Sequence, residues 1–243
     1  MTAQRPDPVR DTAAVQEATV RLLDTVAELP AAALAEPSAL PGWTRGHVLA
    51  HIARNADALG NLLIWARTGE ETPMYASAQA RVDDIAAGAG RPPQEQLADL
   101  RASAERFAAQ ARAVPPAAWA TQVTMRSGRV IAAAEVPWRR LVEVRLHNVD
   151  LAAGYGCADL PADFAARELA GLLDGLTGHE GVAAVRLYDT GSGEKWTIGA
   201  AAEPEVTVSG SCHDLLGWVS GRTAGAGLSV TPDTPLPVLP PLG

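Results

Sequence analysis

Apolar residues recur at helical spacing from residue 11 to about residue 29 (Val15, Ala18, Leu22, Leu23, Val26, Leu29), and Pro30 stops the pattern, so a first helix is predicted there. After a loop ending in Leu40-Pro41-Gly42-Trp43, Thr44 can cap a second helix that runs to about Arg67, where Thr68-Gly69 ends it. A shorter helix is predicted over 77–87. A third long one starts near Pro93, which suits a first-turn position, and runs to about Ala113 before Pro115-Pro116. The stretch 121–132 alternates around Ser127-Gly128 and reads as a small hairpin. A fourth long helix is predicted over 134–153 with Gly154 as its cap, Pro137 being tolerated because it falls in the first turn.

Four long helices with compact connections predict a bundle. The pattern changes after Gly154. A helix over 162–177 is followed by three strand-like runs, 184–188, 195–198 and 205–208, then a short helix over 211–220 and a Pro-rich tail. The predicted fold class is therefore α+β, with a helical bundle over residues 1–154 and a small α+β domain over 155–243.

Composition narrows the function classes. The 243 residues are 47% hydrophobic and 20% charged, an ordinary globular balance that can bury a proper core. The net charge is −8 and no run of Arg or Lys offers the positive stripe that a phosphate backbone requires, so nucleic acid is not an expected partner. Residues 1–11 contain no apolar signal-like core, and charges interrupt the apolar stretches well before they reach membrane-spanning length. The expectation is a cytoplasmic protein with no membrane partner; the oligomeric state is left open, a monomer being compatible with the sequence. Cys157 and Cys212 stand far apart outside any C-x-x-C pattern, which predicts neither a zinc ribbon nor a disulfide framework and reads both as small buried hydrophobes.

The candidate chemistry lies on two helices. The second contains His47-x-x-x-His51 and the fourth Glu143-x-x-x-His147. Residues four apart lie about 40° apart around a helix, so each pair can aim at one point. Either pair alone is weak, because such spacing more often marks a solvated face or a hydrogen bond within the helix. Angular position separates the two histidines: His51 borders the apolar side formed by Val48, Ile52, Leu59, Leu62 and Ala66, whereas His47 turns towards Arg54, Asp57 and Asn61. On the fourth helix Val136, Arg140, Glu143, His147 and Asp150 share one stripe between apolar flanks, and a polar seam so placed is costly unless it is paired or bound. Two imidazoles and a carboxylate, His51, His147 and Glu143, match the three-ligand set of catalytic zinc sites, which leave positions open. Asp150 reads either as support for an imidazole N–H or as a plain carboxylate on a last helical turn.

Several segments resemble the mycothiol-dependent maleylpyruvate isomerases: Gly42-Trp43-Thr44-Arg45-x-His47-x-x-x-His51, Trp65-Ala66-x-Thr68-Gly69-Glu70-Glu71-Thr72-Pro73-Met74-Tyr75, and Arg145-x-His147-x-x-Asp150-Leu151. These belong to the DinB-like metal-binding bundles, which include bacillithiol and mycothiol S-transferases. The resemblance extends over nearly the whole chain, and Gly69–Tyr75 is its specific part. It implies a DinB-like four-helix bundle with a small C-terminal α+β domain, one zinc ion per chain held by His51, Glu143 and His147, and His47 outside the ligand set. Many DinB-like proteins have a third histidine where this chain has Glu143. The implied activity is cis–trans isomerisation of maleylpyruvate to fumarylpyruvate in gentisate degradation, with mycothiol as thiol cofactor and a small molecule as the other partner. The resemblance also points to Arg222 as a catalytic residue of the C-terminal domain. Another mycothiol S-transferase would share every ligand, and a non-catalytic metal-binding stress module is the alternative from a different class.

Overall fold

The computed structural model describes residues 5–200 and 203–240, and these fall into two compact units that divide between Tyr155 and Gly156. The first unit contains α1 (Pro8–Ala27), α2 (Arg45–Thr68), α3 (Ala78–Ala89), α4 (Pro93–Ala113) and α5 (Val136–Asp150), with the hairpin of β1 (Gln122–Thr124) and β2 (Val130–Ala132) between the last two. Among the long helices, α2 packs on α4 and α5, and α1 packs on the same two. The shared core holds Leu22 of α1, Ile52, Leu59, Leu62 and Leu63 of α2, Leu100 and Phe107 of α4, and Val144 of α5, all at most 1% exposed. Burial of such side chains contributes roughly 1.5–3 kcal/mol each, which holds a helical unit whose propensities are ordinary.

Capping explains the start of α2. Thr44 Oγ1 accepts from the His47 backbone N–H, and the His47 ring returns a contact to the Thr44 backbone, so His47 fills the place that Glu or Gln usually takes in a capping box. Gly69, at φ 76°, ends the helix in the left-handed conformation that a side chain disfavours.

The fourth long helix stops three residues short of the expected end at Ala153. Its last residue is Asp150, and the chain then turns through Ala152 at φ 50° and Gly154 at φ 87°. The terminal carbonyls find partners outside the helix: the Asp150 carbonyl accepts from the Ala39 N–H (2.9 Å), the Leu151 carbonyl from Arg45 Nε (2.7 Å), and the Ala152 carbonyl from Arg45 Nη2 (3.2 Å). These tertiary bonds replace another helical turn. Arg45 therefore ties the start of α2 to the end of α5.

Alpha3 lies close against α2. A Cβ on Gly88 would stand 2.8 Å from the Ala50 Cβ, and one on Gly46 would stand 2.8 Å from the Ala89 carbonyl oxygen, so both glycines are set by close approach.

The second unit contains α6 (Ala162–Leu176), the strands β3 (Val185–Asp189), β4 (Lys195–Ile198) and β5 (Val206–Gly210), then α7 (Cys212–Val219) and β6 (Ser229–Thr231). The sheet order is β4-β3-β5-β6, with β3 and β5 parallel and the outer pairs antiparallel. Alternation along β3 buries Val185, Leu187 and Asp189, while α6 packs on β4 and α7 on β3 and β5. The fold class is α+β.

Beta6 lies in the stretch read as a Pro-rich tail. Its pairing with β5 uses backbone groups, and only its central Val230 is partly covered, so no apolar alternation announced it. The end of that tail, residues 241–243, lies outside the described residues. The cysteines also differ from expectation, both being half-buried rather than fully buried. Cys212 is the first residue of α7 beside Asp189, where burial, then the Asp189 and Glu194 carboxylates, push its thiol up to about 11. Among the described residues no helix is long and apolar enough to cross a membrane.

The Gly88 contact gives a prediction for the placement of α3. Gly88→Leu must push α3 away from Ala50 and should destabilise the helical unit by about 1–3 kcal/mol, read as a lower urea midpoint. An unchanged midpoint would show that the α2–α3 contact is loose.

Candidate metal centre

The polar seam foreseen on α5 faces His51 of α2. His51 Nε2 lies 3.0 Å from Glu143 Oε2 and 3.0 Å from His147 Nε2, and His147 Nε2 lies 3.1 Å from Glu143 Oε2. One atom from each residue thus converges on a common point, all three within 4.8 Å of one another. Donor atoms about 2.0–2.2 Å from one tetrahedral zinc would stand roughly 3.3 Å apart, so this triangle needs little adjustment to hold an ion.

Each ligand is positioned by identifiable contacts. His51 is 5% exposed, and the Trp43 indole packs against its ring edge to face at 5.5 Å between centroids. His147 meets Asp150 through Nδ1 at 2.8 Å, and Asp150 is only 1% exposed. A carboxylate there holds the proton on Nδ1 and leaves Nε2 with a free lone pair, the tautomer that a metal ligand requires. Asp150 is therefore the outer partner of an imidazole and more than a carboxylate on a last turn. Arg140, one turn before Glu143, is 1% exposed and donates through Nη1 to the Ile52 carbonyl (2.8 Å) and to Asn55 Oδ1 (2.9 Å). Burial lowers its pKa to about 10, still far above neutrality, so a fixed positive charge stands behind the seam.

The electrostatics favour a donor set with one negative charge. Burial pushes the Glu143 carboxyl up, but hydrogen bonds from His147 and His51 outweigh that and hold it well below its ordinary value. Burial lowers the His51 pKa, keeping its ring neutral at pH 7. Burial opposes protonation of His147 as well, yet the Asp150 and Glu143 carboxylates overcome it and raise its pKa.

His47 lies apart from this group. It is half-buried, with Nδ1 2.7 Å from Thr44 Oγ1 in the capping box. The pattern Thr-x-x-His at a helix start was the available signal for that role. Arg222 belongs to the second unit, on the turn that closes α7, where its Nη1 donates to the Ser220 carbonyl (3.1 Å) and its backbone N–H to the Gly217 carbonyl (2.8 Å). One neighbour of the triad was not singled out from the sequence: Arg81 of α3, whose Nη2 lies 3.4 Å from His51 Nδ1. An arginine on a short, mostly exposed helix gives no pattern that distinguishes it from a solvated charge.

The profile of the mycothiol maleylpyruvate isomerase N-terminal domain matches residues 15–152, the stretch that contains the whole triad. The chain belongs to that family. Among solved structures it is similar to the mycothiol-dependent maleylpyruvate isomerase, at 32% identity with 96% of each chain covered and a TM-score of 0.89. A histidine-to-alanine mutant of a mycothiol-dependent maleylpyruvate isomerase matches at 31% identity, 96% of each chain and a TM-score of 0.88. YfiT from Bacillus subtilis, described as a probable metal-dependent hydrolase with an unusual four-helix bundle topology, shares the fold at 16% identity and a TM-score of 0.52, over 61% of this chain and 86% of its own. No curated protein matches the sequence. Membership in the family accords with a DinB-like helical unit bearing a donor set that could hold a metal.

Two outcomes follow for metal binding. His51→Ala and His147→Ala should abolish stoichiometric zinc uptake, while His47→Ala should retain it, read by metal analysis after gel filtration; the reverse pattern would place the site around His47. The raised His147 pKa also fixes a sign: binding must displace its proton, so apparent zinc affinity should fall as pH is lowered through that pKa, approaching about tenfold per unit below it. A chelator competition that showed no pH dependence would contradict His147 as a ligand.

Proposed function

We propose that the protein is a zinc-dependent, mycothiol-dependent maleylpyruvate isomerase, converting maleylpyruvate to fumarylpyruvate. The observation that supports this most is the His51–Glu143–His147 triangle in a chain that is 32% identical, over 96% of its length, to a mycothiol-dependent maleylpyruvate isomerase. Cis–trans isomerisation needs a temporary loss of double-bond character, which reversible addition of a thiol to the alkene provides without net oxidation or hydrolysis. Zinc held by the triad would lower the pKa of a thiol and so supply thiolate near neutral pH.

The protein's own groups perform the rest. Glu143 and the two imidazoles would hold the ion with one negative charge, leaving an overall positive centre suited to a thiolate. Asp150 keeps the His147 proton on Nδ1, and Trp43 fixes the plane of the His51 ring. In this reading mycothiol supplies the thiol, and Cys212 is ill suited to the part because its surroundings push its thiol up to about 11. Arg222 is assigned to bind a substrate carboxylate or the developing enolate oxygen, because its planar two-donor fork matches either group.

The test is an isomerisation assay on the zinc-loaded protein with maleylpyruvate. Turnover should require both metal and mycothiol; metal-bound protein that leaves maleylpyruvate unchanged while conjugating mycothiol to another electrophile would replace the isomerase with an S-transferase. Arg222→Lys keeps the charge but loses the fork, and turnover should fall about tenfold to hundredfold with zinc content and melting midpoint unchanged. Wild-type turnover in that variant would remove Arg222 from the mechanism, and a lowered midpoint would make its role structural.

A further inference from the structure

Arg81 reaches the triad with its guanidinium, whereas Arg45, Arg54, Arg91, Arg106 and Arg139 of the same unit are engaged in ion pairs with carboxylates. Arg81 is half-buried, yet among the described residues no carboxylate lies within ion-pair distance of it. Its contacts are the Tyr75 ring, 5.9 Å from its Cζ to the centroid, and His51 Nδ1 at 3.4 Å. Covering a guanidinium without a counter-ion is costly, and a functional anion is one way to offset that cost.

The contact with His51 is one that a metal would end. A guanidinium has only donors, so it can bond to Nδ1 only while that nitrogen keeps a lone pair. Were Nε2 to give its lone pair to an ion, the ring proton would reside on Nδ1 and face the guanidinium donor to donor. Arg81 would then be left beside the triad with the Tyr75 side chain next to it.

The surroundings are positive on that side. Tyr75 lies within electrostatic range of Arg81, Arg126 and Arg140, and of Glu143. Arg126 is held near by its backbone N–H, which donates to the Met74 sulfur at 3.2 Å. In a chain of net charge −8, three guanidinium groups around one half-buried hydroxyl form a local field of opposite sign.

We propose that Arg81, with Tyr75 and Arg126 beside it, forms a carboxylate subsite next to the triad that holds one end of an anionic thiol acceptor. The inference rests on the functional reading above and deepens it: maleylpyruvate carries two carboxylates, and Arg81 takes one of them. The subsite favours a charged acceptor over a neutral one of the same shape.

Maleate, a small dicarboxylate with a cis double bond, is the probe. Its binding to zinc-loaded protein is measured by calorimetry for the wild type, Arg81→Gln and Arg81→Lys, with zinc content and melting midpoint determined on each preparation. Dimethyl maleate serves as the neutral control. Maleate should bind the wild type, bind Arg81→Gln at least tenfold more weakly, and recover in part in Arg81→Lys; zinc content should stay constant and the ester should bind weakly to all three. With maleylpyruvate as substrate, Arg81→Gln should raise KM far more than it lowers kcat. Equal maleate affinity in wild type and Arg81→Gln overturns the subsite, as does absence of maleate binding to the wild type. Loss of zinc from both variants also overturns it, making Arg81 a support for His51 alone. Arg81-dependent maleate binding without turnover of maleylpyruvate would keep the subsite and reject the isomerase.

Discussion

The helical unit is organised around the cost of placing a polar seam inside a bundle. Arg140, Glu143, His147 and Asp150 share one face of α5, and two of the four are only 1% exposed. Desolvating such groups costs several kcal/mol for each charge unless partners replace the lost water. Partners replace part of it: the Ile52 carbonyl and Asn55 for Nη1 of Arg140, the Nδ1 proton of His147 for Asp150, and His51 for Glu143 and His147. Each of these bonds crosses from α5 to α2 or links one turn of α5 to the next. The seam therefore fixes the register of the two helices against each other.

That register depends in turn on contacts remote from the seam. Arg45 at the start of α2 binds the carbonyls that follow α5, which prevents the helix from continuing and sets where Asp150 falls. The Thr44–His47 box fixes the start of α2 one turn before His51. Gly46 and Gly88 let α3 approach α2 closely, and that approach brings Arg81 to His51. Burial, caps and close glycine contacts together define a small constellation to within hydrogen-bonding distances, the condition for a preorganised site.

Much of this was legible in the sequence because it rests on periodicity. The pattern around His51 separated it from His47, since a residue bordering Val48, Ile52 and Leu59 must point inward, and the stripe on α5 placed Glu143 and His147 on one line. The long helices and the small sheet were visible for the same reason. What escaped was decided by backbone or tertiary bonds that leave no periodic trace. The early end of α5 comes from Arg45 and Ala39, which are distant in sequence. Beta6 is an edge strand with one half-buried valine, and Cys212 is half-covered because it opens a helix beside Asp189. Arg81 is an arginine on a helix of mostly exposed residues, and only the fold shows that it reaches His51.

The central claim is that the seam is a metal centre built from His51, Glu143 and His147, and not a self-contained network of ion pairs. X-ray absorption at the zinc edge of the loaded protein tests it most directly. The account predicts one ion per chain with two imidazole nitrogens at about 2.0–2.1 Å and carboxylate oxygen at about 2.0–2.2 Å, with no sulfur in the shell before thiol is added. A shell containing cysteine sulfur at about 2.3 Å, or one with no imidazole scattering, would contradict it.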